Sequence, residues 1–465
     1  MKWTNMESVL NDKSVNVPYS SMGDRSSGVG KEVYAIRWYV IAVVSLANIL
    51  NNFLWATWGS ISQSAYLVYG WTDEKLFWIV NVGNITGFLS VLFGVYLVDC
   101  KGIRVSMVVC AVTMAVVTAT RIVTLKPEIA TILIAIGQGL NGIATSVTMC
   151  IPTVVSKTWF KVTERTTATA VSALASALGA AAAYLFGPLT VSMPKLNGTE
   201  VLLNETDTSL IKSQMMELHY ISFGFAILLK LCCIIYLPSA PKTAPSKTAS
   251  IDRYSLKVGI IQLVKNPSVW CIAAIYSIPV GFYGNWSSIL DVILSPYGIS
   301  QADAGWMNFY GSIGGVTCGV LLGRCVDHFQ RKTKIIIIML YICAAVDFTL
   351  FTCTCVDILP KSKGVFYTTV ILGSMIVSSS RPLFLEMTCE TSYPVAEGVT
   401  AGFLGMIVNL GAAVFMCIEL IPNLDTGWAN WALVGVYIVA VPLLVFYKAE
   451  YKRVDIDIVT DTSIS

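Results

Sequence analysis

Long apolar runs alternate with short polar turns along the chain, and the runs set the fold. Windows of about 20 apolar residues, the length that crosses a bilayer as a helix, pick out twelve segments. The first six are Trp38 to Trp58, Leu76 to Val98, Val105 to Val123, Ile129 to Val155, Thr166 to Leu189 and His219 to Leu237. The second six are Val269 to Ile293, Gly305 to Leu322, Ile335 to Cys355, Val365 to Leu385, Gly398 to Ile421 and Trp428 to Tyr447. Ala, Ser and Gly dominate the fifth, and their close spacing permits tight helix contact. The stretch between the sets, with PSAPKTAPSK at its start, is too polar to span. The pattern therefore predicts an all-α membrane protein of two six-helix bundles. Its expected parts are a tail over 1–37, a bundle over 38–237, a linker over 238–267, a second bundle over 268–447 and a tail over 448–465.

Composition supports the pattern. Of 465 residues 55% are hydrophobic and only 13% charged, against about 25% in soluble domains. The net charge of +3 argues for no nucleic-acid partner. The thirteen cysteines form no C-x-x-C pair and there are two histidines, so no metal site is read. No nucleophile–base–orienter set and no phosphate-binding glycine loop are present. The expectation is a non-enzyme without cofactor, embedded as a monomer in the lipid bilayer.

The charged residues are segregated by loop. Basic residues such as Lys101, Arg104, Lys157, Lys161 and Arg165 cluster on one side, which predicts that side, and both termini, to be cytoplasmic. The loop after the fifth run then lies on the far side. It carries two glycosylation sequons, at Asn197 and Asn204, usable only there. The polar N-terminus is expected to be a soluble tail and not a cleaved signal peptide. A charged turn, GVYLVDCKGIR, follows the second run, with Asp99, Gly102 and Arg104 at D-x-x-G-x-R spacing. A degraded echo, GRCVDHFQRKTK, follows the eighth, with Asp327 for Asp99, Gln330 for Gly102 and Lys332 for Arg104.

Two six-helix halves with a repeated charged turn resemble the major facilitator superfamily. Several stretches resemble a narrower group, the feline leukaemia virus subgroup C receptor-related transporters (solute carrier family 49). They are RWYVIAVVSLANILNNFLWATWGSI, YGNWSSILDVIL, SQADAGWMNFYGSIGG and ETSYPVAEGVTAGFLG. TWFKVTERTTATA, the paired sequons and DAGW are most similar to a lysosomal branch of that group. The resemblance implies a secondary transporter of a small organic solute, and that branch implies proton-coupled export of pyridoxine from lysosomes. Sibling branches imply choline, ethanolamine or haem, carried as a uniport. A third reading is a transporter-like receptor or sensor without flux. Glu7 to Asn11 completes no acidic dileucine signal, while Tyr19 to Met22 fits a tyrosine-based sorting signal, so the plasma membrane stands as the alternative location.

Transporters of this architecture bind substrate near the midplane, between the halves, where polar side chains are costly unless used. Asn48, Asn51, Asn52 and Trp55 share one helix face. Trp55 suits a flat ring or a quaternary ammonium, while helix packing through amide hydrogen bonds is the alternative for this face. The seventh run is broken by Pro279, Gly281 and Gly284 and then carries Tyr283, Asn285, Trp286 and Asp291. Gln138 and Asn141 could complete a pocket. By resemblance, Trp55, Tyr283 and Asn409 fall where choline-handling siblings place aromatic and amide ligands. For proton coupling the candidates are Asp291, with a structural pair to Arg121 as its rival, and Glu386; Asp347 lies in the ninth run. Arg381, Glu390 and Glu397 are read as a gating network with Asp99, Gly102, Arg104 and Asp327. His219 is read as an interfacial residue opening the sixth helix.

Overall fold

The long helices begin where the sequence offers a start. In the computed structural model Thr72 accepts a hydrogen bond from Lys75 N, Asn266 from Ser268 N and Ser362 from Val365 N. Pro127 and Pro267 stand in the first turn of their helices, where a missing N–H removes no intrahelical bond. The structure describes residues 35–160, 165–192, 196–197, 200–201, 205–241, 256–328, 332–421 and 426–449.

Fifteen helices follow in chain order among the described residues. They are α1 (Ile36–Ser60), a short α2 (Ser62–Tyr69), α3 (Asp73–Tyr96), α4 (Ile103–Ile122), α5 (Pro127–Trp159), α6 (Arg165–Thr190) and α7 (Glu205–Ile235). Then come a short α8 (Leu256–Lys265), α9 (Pro267–Ser288), a one-turn α10 (Leu290–Leu294), α11 (Gln301–His328), α12 (Thr333–Cys355), α13 (Lys363–Ser392), α14 (Glu397–Glu419) and α15 (Gly427–Phe446). Ten are long and apolar enough to cross a membrane, and α6 and α11 complete a set of twelve. The only strands among the described residues are the two-residue pair Leu196–Asn197 and Glu200–Val201.

The packing repeats. In the first half α3 runs along α5, α1 along α6, and α4 lies against both α5 and α7. In the second half α11 runs along α13, α9 along α14, and α12 lies against both α13 and α15. Each contact recurs six spans later, so the internal repeat suggested by the two charged turns is a repeat of packing. The halves meet along α3 with α14 and α6 with α11, and α5 also touches α14. Glycines set the closeness of these seams. At Gly142 of α5 a Cβ would run into the Gly83 carbonyl of α3, and at Gly305 of α11 into the Tyr184 carbonyl of α6.

Three elements differ from the sequence expectation. The sixth span does not open at His219: α7 starts at Glu205, because Ile211, Met215 and Leu218 bury one face of what had looked like a polar loop. His219 is therefore well inside a helix and fully buried, not interfacial. The end of the expected linker is helical, with Gly259 and Leu263 of α8 buried. The tenth span extends past Leu385 to Ser392, so Glu390 is buried within it. The charged turn after α3 is a single π-helical turn, Leu97–Lys101, ended by Gly102 at φ +84°. A Cβ is strained there, which accounts for the glycine. Asn204 and Gln330 lie outside the described residues, as do the side chains of Asn197 and Asp327 and most of both tails.

Candidate functional site

The midplane site is built around Gly83 to Gly87 of α3. Trp55 of α1 is half-buried, and the far edge of its indole lies over Gly83, where a Cβ would come within 2.8 Å of Cζ3 and Cη2. Only glycine leaves that room. One turn on, a Cβ at Gly87 would come within 3.0 Å of Asn409 Nδ2, carried in from the other half by α14. From α5, Gln138 brings its backbone carbonyl against the same Gly83. Trp55, Gln138 and Asn409 thus converge from three helices on one stretch of a fourth.

The amides divide into used and unused groups. Asn51 is satisfied by α5. Its Nδ2 donates to Asn141 Oδ1 at 3.0 Å and Thr145 Oγ1 at 3.1 Å, and its Oδ1 accepts from Thr148 at 3.2 Å. That network ties α1 to α5 and leaves Asn51 little to offer a ligand. Asn48 is held the same way by α6, through Ser176 at 3.3 Å. By contrast the Nδ2 atoms of Asn84, Asn141 and Asn409 and the Nε2 of Gln138 are buried without a partner among the described residues. Buried donors are rarely left so in native proteins, and two of these residues, Gln138 and Asn409, lie against the same stretch of α3 as Trp55. The orientation of Gln138 follows from chemistry: Arg121, which can only donate, gives Nη2 to Gln138 Oε1 at 3.1 Å and so turns Nε2 away.

Tyr283 and Trp286, the two aromatic candidates on α9, pack within the second half. Trp286 is fully buried, donates from Nε1 to Asn430 Oδ1 at 2.7 Å and packs on Phe348 and Phe351. It faces the interior of the second half, not Trp55. Tyr283 packs between Trp286 and Phe348, each at 6.0 Å. Asn285 reaches the other way and donates to the Ala412 carbonyl at 2.6 Å, holding α9 on α14 one turn beyond Asn409.

Polar clasps stand at both ends. At the first, Asp291 of α10 accepts from Ser62, while Gln301 of α11 donates to the Ser60 carbonyl at 2.5 Å and accepts from Gln63 N at 3.2 Å. Asp291 is not paired with Arg121, whose Nη2 also donates to the Leu54 carbonyl at 3.0 Å. Ser300, Tyr367 and Lys363 gather on Asp303 nearby, at 2.8, 3.0 and 2.8 Å. At the second end, Asp99 lies against Gly398 of α14 and beside Lys157 and Glu397. Arg104 remains within its own half, with Nη2 on the Ile234 carbonyl at 3.3 Å. Arg381 is half-buried mid-helix near Tyr276, Tyr283 and Tyr437, with Nε unpartnered. That places it deeper than the Asp99 turn. Glu386 is half-buried and engaged with neighbours. Asp347 is buried between α12 and α13, its Oδ2 unpartnered against Gly373.

Sequence reasoning passed over Asn84, Ser62 and Gln301. Asn81 and Asn84, three apart in an otherwise apolar run, were the available signal: Asn81 bridges to Cys417 of the other half at 3.3 Å. Ser62 and Gln301 carry no pattern, since tertiary contact alone brings them to Asp291 and to Ser60.

A Major Facilitator Superfamily model matches residues 40–416. A solute carrier family 49 member 4 homolog of Xenopus tropicalis is 34% identical over 431 residues, covering 92% of this chain and 94% of the relative. The choline/ethanolamine transporter FLVCR2 of Homo sapiens is 25% identical, covering 90% and 78%. Among solved structures, a D-xylose-proton symporter superposes with a TM-score of 0.67 at 15% identity, covering 89% of this chain and 98% of that one.

Proposed function

From a chain that belongs to the major facilitator superfamily, and within it to solute carrier family 49, we infer a proton-coupled exporter of pyridoxine that works by alternating access. The observation that carries this reading is the mid-bundle site. A half-buried indole stands over Gly83, Gln138 and Asn409 meet the same stretch of α3, and the amide nitrogens of Asn84, Gln138, Asn141 and Asn409 are buried without a partner among the described residues. An indole face suits a flat pyridine ring. Donor nitrogens suit its hydroxyl oxygens and ring nitrogen, which accept. Tyr283 would close the site from α9, with Trp286 as its support behind. Asp291 is the favoured proton carrier, because its clasp on Ser62 must open as the halves rock, and a carboxylate that exchanges partners can exchange a proton. Glu386 and the unpartnered Asp347 are the rivals. Asp99, Gly102, Arg104, Asp327, Glu390 and Glu397 would form the gate at the opposite end, with Arg381 above it.

Choline or ethanolamine is the second reading. It is favoured by the names of the FLVCR2 relatives and by the fit of a half-buried indole face to a quaternary ammonium. Lysosomal location, cytoplasmic termini, glycosylation at Asn197 and Asn204, and a monomeric state belong to the first proposal. Radiolabelled flux into vesicles with an imposed pH gradient separates the readings. Pyridoxine flux that is faster with acid on the source side supports proton-coupled export. Choline flux without pH dependence overturns it in favour of uniport, and saturable binding without flux indicates a receptor.

A further inference from the structure

The two halves share a second repeat, at the end opposite the Asp99 turn. Residues 58–70 read WGSISQSAYLVYG and residues 286–298 read WSSILDVILSPYG. Both fit W-x-S-I, seven residues, then Y-G. The structure gives both the same shape. α1 breaks from α2 at Ile61, with φ −128° and ψ 28°, and α9 breaks from α10 at Ile289, with φ −110° and ψ 17°. Each short segment beyond its break ends on a left-handed glycine, Gly70 or Gly298. The breaks abut across the halves. The Ser288 carbonyl lies where a Cβ at Gly59 would stand, and Asp291 accepts from Ser62.

The two breaks are satisfied differently. A helix leaves its last carbonyls and its first N–H groups without intrahelical partners. At the second break Ile289 N donates to the Asn285 and Trp286 carbonyls, at 3.2 and 3.3 Å, so α9 closes its own end. At the first break the partners come from the other half. Gln301, the first residue of α11, donates from Nε2 to the Ser60 carbonyl at 2.5 Å and accepts from Gln63 N at 3.2 Å. One side-chain amide thus caps both the end of α1 and the start of α2. Gln301, Ser60 and Ser62 are each 3% exposed or less, so solvent does not compete for these bonds while this end is closed.

Parting the halves here breaks both Gln301 bonds at once and orphans two backbone groups, which opposes opening. The second break keeps its bonds in either state. Trp55 stands six residues before Ile61, about 9 Å along the helix, so the capped joint lies between the midplane site and this end. We propose that Gln301 is the latch of the Asp291 end, holding the Ile61 joint and setting how readily that end opens. It is a positioning residue that acts on the gate and touches no solute. The inference rests on alternating access and not on the choice of solute.

The test is amide hydrogen exchange of the full chain in lipid nanodiscs, without added solute. Gln301→Met keeps the length and apolar stem and removes both bonds. Exchange over residues 59–65 should rise roughly tenfold, as expected for two lost hydrogen bonds. Residues 95–104 and 397–402, at the Asp99 end, should exchange more slowly, because opening one end closes the other. Residues 286–293 should exchange less altered than 59–65. Should Gln301→Met fold poorly, Gln301→Glu keeps the acceptor for Gln63 N and loses the donor to Ser60; the same signs are expected at smaller size. Unchanged exchange over 59–65 would overturn the latch. So would faster exchange there with no slowing at the Asp99 end, which is the signature of a local structural role. Absence of pyridoxine flux in the parent chain would overturn the substrate reading and leave this result standing.

Discussion

Trp55 and Trp286 both stand in polar stretches of membrane helices, but Trp286 is fully buried and bonded to Asn430 while Trp55 is half-buried over a glycine. Trp55→Ala removes an indole that makes no hydrogen bond to a described residue and rests on a glycine. Folding should lose little. Binding should lose the stacked ring: on the order of 60 Å² of apolar area at ~25 cal/mol/Å² is about 1.5 kcal/mol. An aromatic pair adds about 1 kcal/mol, and the sum of about 2.5 kcal/mol weakens Kd roughly 70-fold. Trp286→Ala opens a cavity in a fully buried site and orphans Asn430 Oδ1, a cost of about 3–5 kcal/mol to the fold. The assay pairs equilibrium binding of labelled pyridoxine with thermal unfolding of each purified variant. Trp55→Ala should bind poorly and melt like the parent, while Trp286→Ala should melt well below it. Unchanged affinity in Trp55→Ala would refute the assignment of that face to substrate, and equal melting of the two variants would refute the division of tasks.

Other outcomes follow from the clasps and seams. Asp291→Asn should flatten the pH dependence of transport, read as flux against an imposed gradient; an unaltered profile would move the proton to Glu386 or Asp347. Gly142→Val should cut the folded yield sharply, since its side chain meets the Gly83 carbonyl, whereas Gly405→Ala meets only the flexible Met149 and should fold normally.

Much of the architecture was legible because a bilayer leaves only two ways to satisfy a backbone, and twenty apolar residues in a row choose the helix. The repeat was legible from Asp99 and its echo at Asp327, since a charged turn that recurs at the same point in each set of runs marks a duplicated unit. The start of α7 was not, because Ile211, Met215 and Leu218 carry their pattern at helical spacing among charged neighbours. The site was legible in part. Amides on one helix face announce a polar surface, but not whether a neighbour uses it. Asn51 and Gln138 are the same chemistry at the same depth, and only the arrival of Thr145 and Thr148 at one and Arg121 at the other separates them. Trp286 was read as pocket-lining because the acceptor that turns it inward is Asn430, 144 positions away.

The glycines along α14 bear on speed as well as on closeness. Gly398 faces Asp99, Gly402 faces Val95 and Cys150, and Gly405 faces Met149. A helix that presents no side chains at these points has no teeth to disengage when it tilts. Between the Asp99 end and the Asn81–Cys417 bond the partner surface is Met, Val and Cys, which can shift without breaking hydrogen bonds. Such a face works as a low-friction bearing. Turnover would then be paced by the polar clasps at the two ends, leaving the long apolar seam free to roll between them.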